Sequence, residues 1–273
     1  VLPYKTVRSG QRDCYPLPNL QPIDCDRMIG ADSSVAPCDA MRGSWAVSFG
    51  MPSSPAEKWR SDIERTRTKL PSDKVLSVSV VGTVQPEWSL DRLAQDYAIC
   101  ARWAVESGAD CIEANFSCPN VSTCDGQLYQ DADQSRLVAS VIRESIGATP
   151  LIIKIGFVPP DVSPQPLVSG LSDIADALSM TNSISAKVRT TEGAMMFDGQ
   201  PRGICGDAIR DSSIDQVRRF AEEIARQDST LKLIGVGGIS TAEHVQSYLG
   251  AGAHACHLAT SVMVDPSVGL RIR

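Results

Sequence analysis

Cys111-Ile112-Glu113-Ala114-Asn115-Phe116-Ser117-Cys118-Pro119-Asn120 reads as a buried strand that runs without a break into a chemically dense turn. Residues 111–116 are apolar enough for a core strand, and the turn displays two amides, a hydroxyl and a thiol. Pro119 stiffens that turn and removes one backbone donor. Polar groups crowded at the carboxyl end of a buried strand are where parallel α/β enzymes carry their chemistry. A lone Cys-Pro is more often a strand terminator beside a small core cysteine. A lysine, an amide pair and a Gly-Gly turn at later strand ends tip the balance towards a site.

Working outward from this stretch, strand-like and helical runs alternate. Residues 75–81 read as a strand and 86–107 as a helix, with Leu90, Leu93, Ala94, Tyr97, Ala101 and Ala104 on one face and Gly108 as its stop. Beyond 111–116 come a helix at 133–146, a strand at 151–155, a helix at 167–178 and a strand at 179–184. A helix at 213–227, a strand at 231–236, a helix at 241–249 and a strand at 253–258 complete the series. Repeated βα units specify a parallel sheet with right-handed crossovers. The expected fold is therefore α/β, a (β/α)8 TIM barrel, with residues 1–273 forming a single domain.

Three segments break the rhythm. Residues 9–43 and 186–211 lack periodicity and are expected to be long loops, natural lids and pocket walls on a rigid barrel. Between them, 45–49 reads as a short strand that ends in Gly50-Met51-Pro52, and Ser54-Pro55-Ala56-Glu57 has the pattern of a capping box.

Composition excludes several classes. A formal charge of −6 and no basic stripe argue against nucleic acid as a partner. No apolar run reaches the roughly 18 residues that a membrane span needs. The nine cysteines are irregularly spaced with no Cys-x-x-Cys, which suits reduced thiols in the cytoplasm better than a disulfide framework. The three histidines fall late, with no ligand spacing, so no metal site is expected.

Other strand ends carry chemistry too. Lys5-Thr6 closes the first strand, where the lysine is either solvated or set over a cofactor edge. Lys154 interrupts Leu151-Ile152-Ile153-Lys154-Ile155, and a charge in such a run needs an anionic partner or a snorkelling route to water. Asn182-Ser183 offers uncharged donors and acceptors suited to a planar heterocycle. Gly235-Val236-Gly237-Gly238-Ile239-Ser240 lets backbone amides approach a phosphate and opens a helix at Ser240, with Glu243 three residues on. Gly252 and Ala259-Thr260-Ser261 would frame the other side.

Taken together, these residues resemble the dihydroorotate dehydrogenase family, whose members are FMN-dependent (β/α)8 barrels. The resemblance covers nearly the whole chain. Its strongest motif is Asn115-Phe116-Ser117-Cys118-Pro119-Asn120. In chain order it is supported by Lys5-Thr6, Ser48-Phe49-Gly50-Met51-Pro52, Lys154, Thr181-Asn182-Ser183, Gly203-Ile204-Cys205-Gly206, Gly237-Gly238-Ile239 and Thr260. The resemblance implies that Asn115, Lys154 and Ser183 hold the flavin ring and ribityl chain, with Lys5 at the ring edge. Gly206, Gly237, Gly238 and Thr260 would hold the phosphate. Lys5, Asn120, Asn182 and Ser183, with the backbone of Phe49, Gly50 and Met51, would face the substrate. Cys118 would be the base, assisted by Lys5, as hydride passes to the flavin. A cysteine there marks the soluble, cytoplasmic branch of a family that serves pyrimidine biosynthesis. The implied substrate is dihydroorotate or a related dihydropyrimidine. A dihydropyrimidine dehydrogenase-like reductase and a non-catalytic flavin- or phosphate-binding barrel are the alternatives. A homodimer or an iron–sulfur electron-transfer partner fits the same resemblance.

The chain departs from the family pattern at several points. Val47 stands where a substrate-binding asparagine is usual, Arg202 and Cys205 replace glycine and serine, His257 replaces a common glutamine, and Ala259 replaces a glycine. The family's first barrel strand has no counterpart before Val1, and the last helix is expected to continue beyond Arg273.

Overall fold

Seven parallel strands form because each apolar run is followed by a segment that carries the chain back across one face of the sheet. The computed structural model describes all residues except 29–33, 84, 86, 118–126 and 273. β1 (Leu2–Val7) leads the chain, followed by three short strands, β2 (Leu20–Asp24), β3 (Ser34–Pro37) and β4 (Ser44–Val47), and by helix α1 (Ala56–Lys69). Strand and helix then alternate through β5 (Leu76–Val80), α2 (Leu90–Glu106), β6 (Cys111–Asn115), α3 (Ala132–Ile146), β7 (Leu151–Lys154), α4 (Gln165–Leu171) and β8 (Ala177–Met180). Two short strands, β9 (Ile184–Val188) and β10 (Arg202–Gly206), precede α5 (Arg210–Arg226), β11 (Lys232–Val236), α6 (Ala242–Gly250) and β12 (Ala255–His257). Two short helices, α7 (Thr260–Val264) and α8 (Val268–Arg271), follow.

The parallel sheet has the order β1-β5-β6-β7-β8-β11-β12. It is strongly curled. Glu113 on β6 and His257 on β12 come within 3.8 Å although three strands lie between them. In a flat sheet they would stand roughly 19 Å apart at about 4.8 Å per strand. Cys111, Ile152, Ala177, Ile234 and Val236 pack together as a small apolar cluster from four strands of this sheet. The larger core joins Val78, Ile112, Ile153, Leu178 and Leu233 to helix residues such as Tyr97, Val138, Leu171 and Phe220. Among the described residues the parallel strands number seven, as expected where the family's first barrel strand has no counterpart before Val1.

The two stretches expected to be long loops are where the structure differs most. They supply β2, β3, β9 and β10, which with β4 close into a second, five-stranded sheet in the order β10-β4-β2-β3-β9. This sheet has its own core, with Ile23, Val35, Ala46, Ile184, Ala186 and Ile204 fully or nearly fully buried. Strands of four or five residues show barely two alternations, and Pro22 and Pro37 lie within them, so periodicity had little to register. The 45–49 run does form a strand, β4, outside the parallel sheet.

Helix caps also differ in detail. Pro55 caps α1 without a side-chain hydrogen bond, so the expected box is not made. The neighbouring Ser53 hydroxyl instead accepts from the Arg8 amide at 3.0 Å. In α6 the cap is Thr241, one residue later than expected, its hydroxyl accepting from the His244 amide at 3.3 Å.

Candidate active site

The carboxyl ends of the parallel strands open into a cavity of about 410 Å³. Its floor and sides are Lys5 and Thr6 from β1, Asn115 from β6, Lys154 from β7, Asn182 and Ser183 after β8, Val236 from β11, and Thr260 after β12. Trp45, Val47, Phe49, Gly50, Met51, Pro52 and Cys205, from the five-stranded sheet and the turn that leaves it, complete the wall. Of the residues expected to form a site, Lys5, Phe49, Gly50, Met51, Asn115, Lys154, Asn182, Ser183 and Thr260 therefore meet at one cavity. Cys118 and Asn120 lie outside the described residues.

Each polar group is aimed by its neighbours. The Asn115 carbonyl accepts from the Tyr97 hydroxyl at 2.9 Å, and its side-chain oxygen accepts from the Ser117 amide at 3.0 Å. The Asn182 amide donates to the Ser117 carbonyl, tying the β8 end to the β6 end. Around Gly50 the turn is clamped from outside: the Tyr15 amide donates to the Phe49 carbonyl at 3.1 Å and the Arg8 guanidinium to the Met51 carbonyl at 3.2 Å. Gly50 sits at φ +74°, where a Cβ would meet the Tyr15 ring at 2.9 Å, so only glycine fits. Lys5 donates to the Pro52 and Thr6 carbonyls at 2.5 and 2.9 Å. Burial, followed by the nearby Arg8 cation, lowers the Lys5 pKa from its ordinary value.

Below this rim is a charged layer. Lys154 Nζ lies 3.9 Å from Glu113 Oε1, and His257 Nδ1 lies 3.8 Å from Glu113 Oε2. Lys154 thus takes its expected anionic partner inside the fold, at a distance too long for a hydrogen bond. Burial holds the His257 imidazole below its usual range, while Glu113 pulls the other way. Burial also pushes the Cys205 thiol up to about 11, so it faces the cavity as a neutral group.

A second cavity, of about 200 Å³, adjoins the first and shares Thr260 with it. Gly43, Gly206, Asp207, Gly238, Ser240 and Ser261 line it. A Cβ on Gly206, at φ +95°, would stand 2.0 Å from the Gly43 carbonyl oxygen, and one on Gly238, at φ +61°, 2.8 Å from the Gly206 carbonyl oxygen. Three backbone segments therefore converge without side chains between them. Gly237 lines neither cavity: a Cβ there would meet Ser213, and its carbonyl accepts from the Tyr248 hydroxyl at 2.7 Å. Gly206→Ala is expected to lower the melting temperature by several degrees, since strained positive φ alone costs roughly 1–3 kcal/mol. Differential scanning fluorimetry checks this, and an unchanged melting temperature would mean that the three segments move apart freely.

Sequence reasoning passed over Glu113, Trp45 and Pro52. Glu113 had a legible signal. A carboxylate two residues before Asn115 projects from the same face of the strand, one strand away from the lysine at 154. Pro52 closed the Ser48–Pro52 motif, whereas Trp45 had no signal, because its role depends on how a second sheet folds over the first. Among the described residues no group of three His, Cys, Asp or Glu side chains is arranged to hold a metal ion, and no helix is long and apolar enough to cross a membrane.

Comparison with known proteins agrees with this geometry. Residues 41–273 match the family model described as dihydroorotate dehydrogenase. A dihydroorotate dehydrogenase of Dictyostelium discoideum is 30% identical over 98% of this chain and 76% of its own length. The catalytic subunit of dihydroorotate dehydrogenase B (NAD(+)) from Maridesulfovibrio salexigens is 29% identical over 62% of this chain and 54% of its own. Dihydroorotate dehydrogenase A (fumarate) of Limosilactobacillus reuteri is 30% identical over 62% of this chain and 53% of its own. The matches to the bacterial relatives thus span about half their length, and the match to the Dictyostelium protein about three quarters.

Proposed function

The chain belongs to the dihydroorotate dehydrogenase family, and from that premise we propose an FMN-dependent oxidoreductase that oxidises dihydroorotate or a closely related dihydropyrimidine. The observation that carries this reading is the convergence of Lys5, Asn115, Lys154, Asn182, Ser183 and Thr260 on one cavity of about 410 Å³. We read the curled sheet as part of a (β/α)8 barrel, with its chemistry at the carboxyl ends of the strands.

The residues present fit FMN. Among the described residues the carboxylate paired with the Lys154 ammonium is 3.9 Å away, beyond hydrogen-bond reach, which leaves the ammonium suited to an electron-rich ring edge. The adjoining cavity, where glycine backbones converge beside Ser240, Thr260 and Ser261, suits a phosphate. In this reading Asn115, Lys154 and Ser183 hold the ring and ribityl chain, and Gly206, Gly238 and Thr260 the phosphate. Gly237 supports the turn from behind. When bound, FMN supplies the hydride acceptor. Cys118 removes a carbon-bound proton from the substrate, and Lys5, Asn120 and Asn182 hold the substrate's polar edges. The clamped Phe49–Pro52 turn excludes water from the reacting face. Relatives named for NAD(+), fumarate and quinone all align with this chain, so the electron acceptor is the variable half of the reaction.

The visible spectrum of the purified protein, before and after anaerobic addition of dihydroorotate, tests the proposal. Flavin absorption that bleaches with substrate is expected. A colourless protein that FMN does not reconstitute would reject the cofactor, and a flavin that never bleaches would reject the substrate.

Val47 lines the cavity, apolar where an amide would pair with a polar edge of orotate. An unpaired buried edge costs roughly 1–3 kcal/mol. Val47→Asn is therefore expected to tighten orotate binding by about 5- to 150-fold, measured by titration calorimetry. Low-micromolar binding by the unmodified protein would overturn the argument. Val47 also favours, as a second reading, a pyrimidine with fewer polar edges that is reduced to its dihydro form.

A further inference from the structure

We infer that His257 is a positioning residue that acts on Lys154 through Glu113, and so sets how much positive charge the cavity offers to a bound cofactor. This rests on the FMN reading above. Glu113 divides its carboxylate between two partners, Oε1 towards Lys154 at 3.9 Å and Oε2 towards His257 at 3.8 Å. All three side chains are largely buried, at 22% exposed for Lys154, 13% for His257 and 8% for Glu113. Lys154 lines the cavity, whereas Glu113 and His257 do not. His257 therefore reaches a ligand at the lysine through the carboxylate it shares with Lys154, alongside the direct repulsion between the two cations.

The side-chain charges that face His257 are Glu113 from β6 and Lys154 from β7. Its hydrogen-bonded neighbour, β11, pairs Val236 with it and adds no charge. With His257 neutral, Glu113 compensates the Lys154 ammonium. A proton on the imidazole turns Glu113 towards His257 and leaves the cavity one unit more positive. Burial keeps the imidazole below its ordinary range, so the neutral form rests at pH 7 and the change falls on the acid side of about pH 6.5.

Linkage gives this a measurable sign. Hydride transfer brings two electrons and one proton to the cofactor, and the negative charge gained favours one further proton on His257, taken from solvent. One extra proton per two electrons changes the redox equilibrium tenfold per pH unit, or about 30 mV.

Two measurements test the relay. In cofactor-free protein, NMR titration of His257 is expected to give a lower pKa in Glu113→Gln and a higher one in Lys154→Met. In FMN-loaded protein, the midpoint potential from pH 8 to pH 5 is expected to steepen on the acid side by up to about 30 mV per unit, and His257→Gln should abolish that steepening. A His257 titration unmoved by both neighbours overturns the inference. So does a wild-type potential that runs parallel to that of His257→Gln. Should Glu113→Gln not fold, Lys154→Met and His257→Gln carry the same comparison. Absence of FMN binding by the wild type would fail the cofactor reading alone, and the NMR titration would still decide the relay.

Discussion

Cys118→Ala is expected to bind FMN and to lose almost all reduction of the flavin by dihydroorotate. A positioned general base typically contributes 10²–10⁴-fold, and alanine has no group to take its place. A free thiol has a pKa near 8.5, so only a minority is thiolate at neutral pH unless the site lowers it. Cys118→Ser should keep a trace of activity with its optimum displaced to higher pH, because a hydroxyl gives up its proton far less readily. Anaerobic stopped-flow spectroscopy separates this from a role in packing. Reduction of the alanine variant at wild-type speed would mean that the base is elsewhere.

Lys154→Met is expected to weaken FMN binding by about 10- to 150-fold, since a hydrogen bond to a charged group is worth roughly 1.5–3 kcal/mol. The same substitution leaves Glu113, 8% exposed, with His257 as its remaining ion-pair partner among the described residues. The variant should therefore also melt earlier, and Glu113→Gln in the same protein should recover part of that loss but none of the FMN affinity. Calorimetric titration of the cofactor-free variants with FMN, alongside thermal melts, distinguishes the two effects. Undiminished affinity in Lys154→Met would show that the lysine does not hold the cofactor.

Much of the parallel half of the fold was legible because its strands are apolar runs bounded by amphipathic helices with clear stops, as at Gly108 and Gly147. The residues that line its cavity stood out for the same reason: Asn115, Lys154 and Asn182 are polar groups set against otherwise apolar strand ends. The five-stranded sheet escaped notice because β2 and β3 are only five and four residues long and β3 pairs with β9 across some 150 intervening positions. Local pattern carries no trace of such a pairing. His257 was visible as a departure from the family's usual glutamine, but its meaning needed the curl that brings β12 back against β6.

The two halves of the cavity wall belong to different cores. Lys154 and Asn115 stand on the parallel sheet and are fixed by its helices, whereas Trp45, Val47 and Cys205 stand on the five-stranded sheet with its own apolar interior. Substitutions buried inside one core and away from the shared wall are expected to act mainly on that core. A lineage can exchange Val47, or the residues packed beneath it, and revise what the enzyme accepts while the redox floor is inherited unchanged. Directed libraries aimed at new ring substrates therefore belong on β4 and β10, whose Val47 and Cys205 face the cavity.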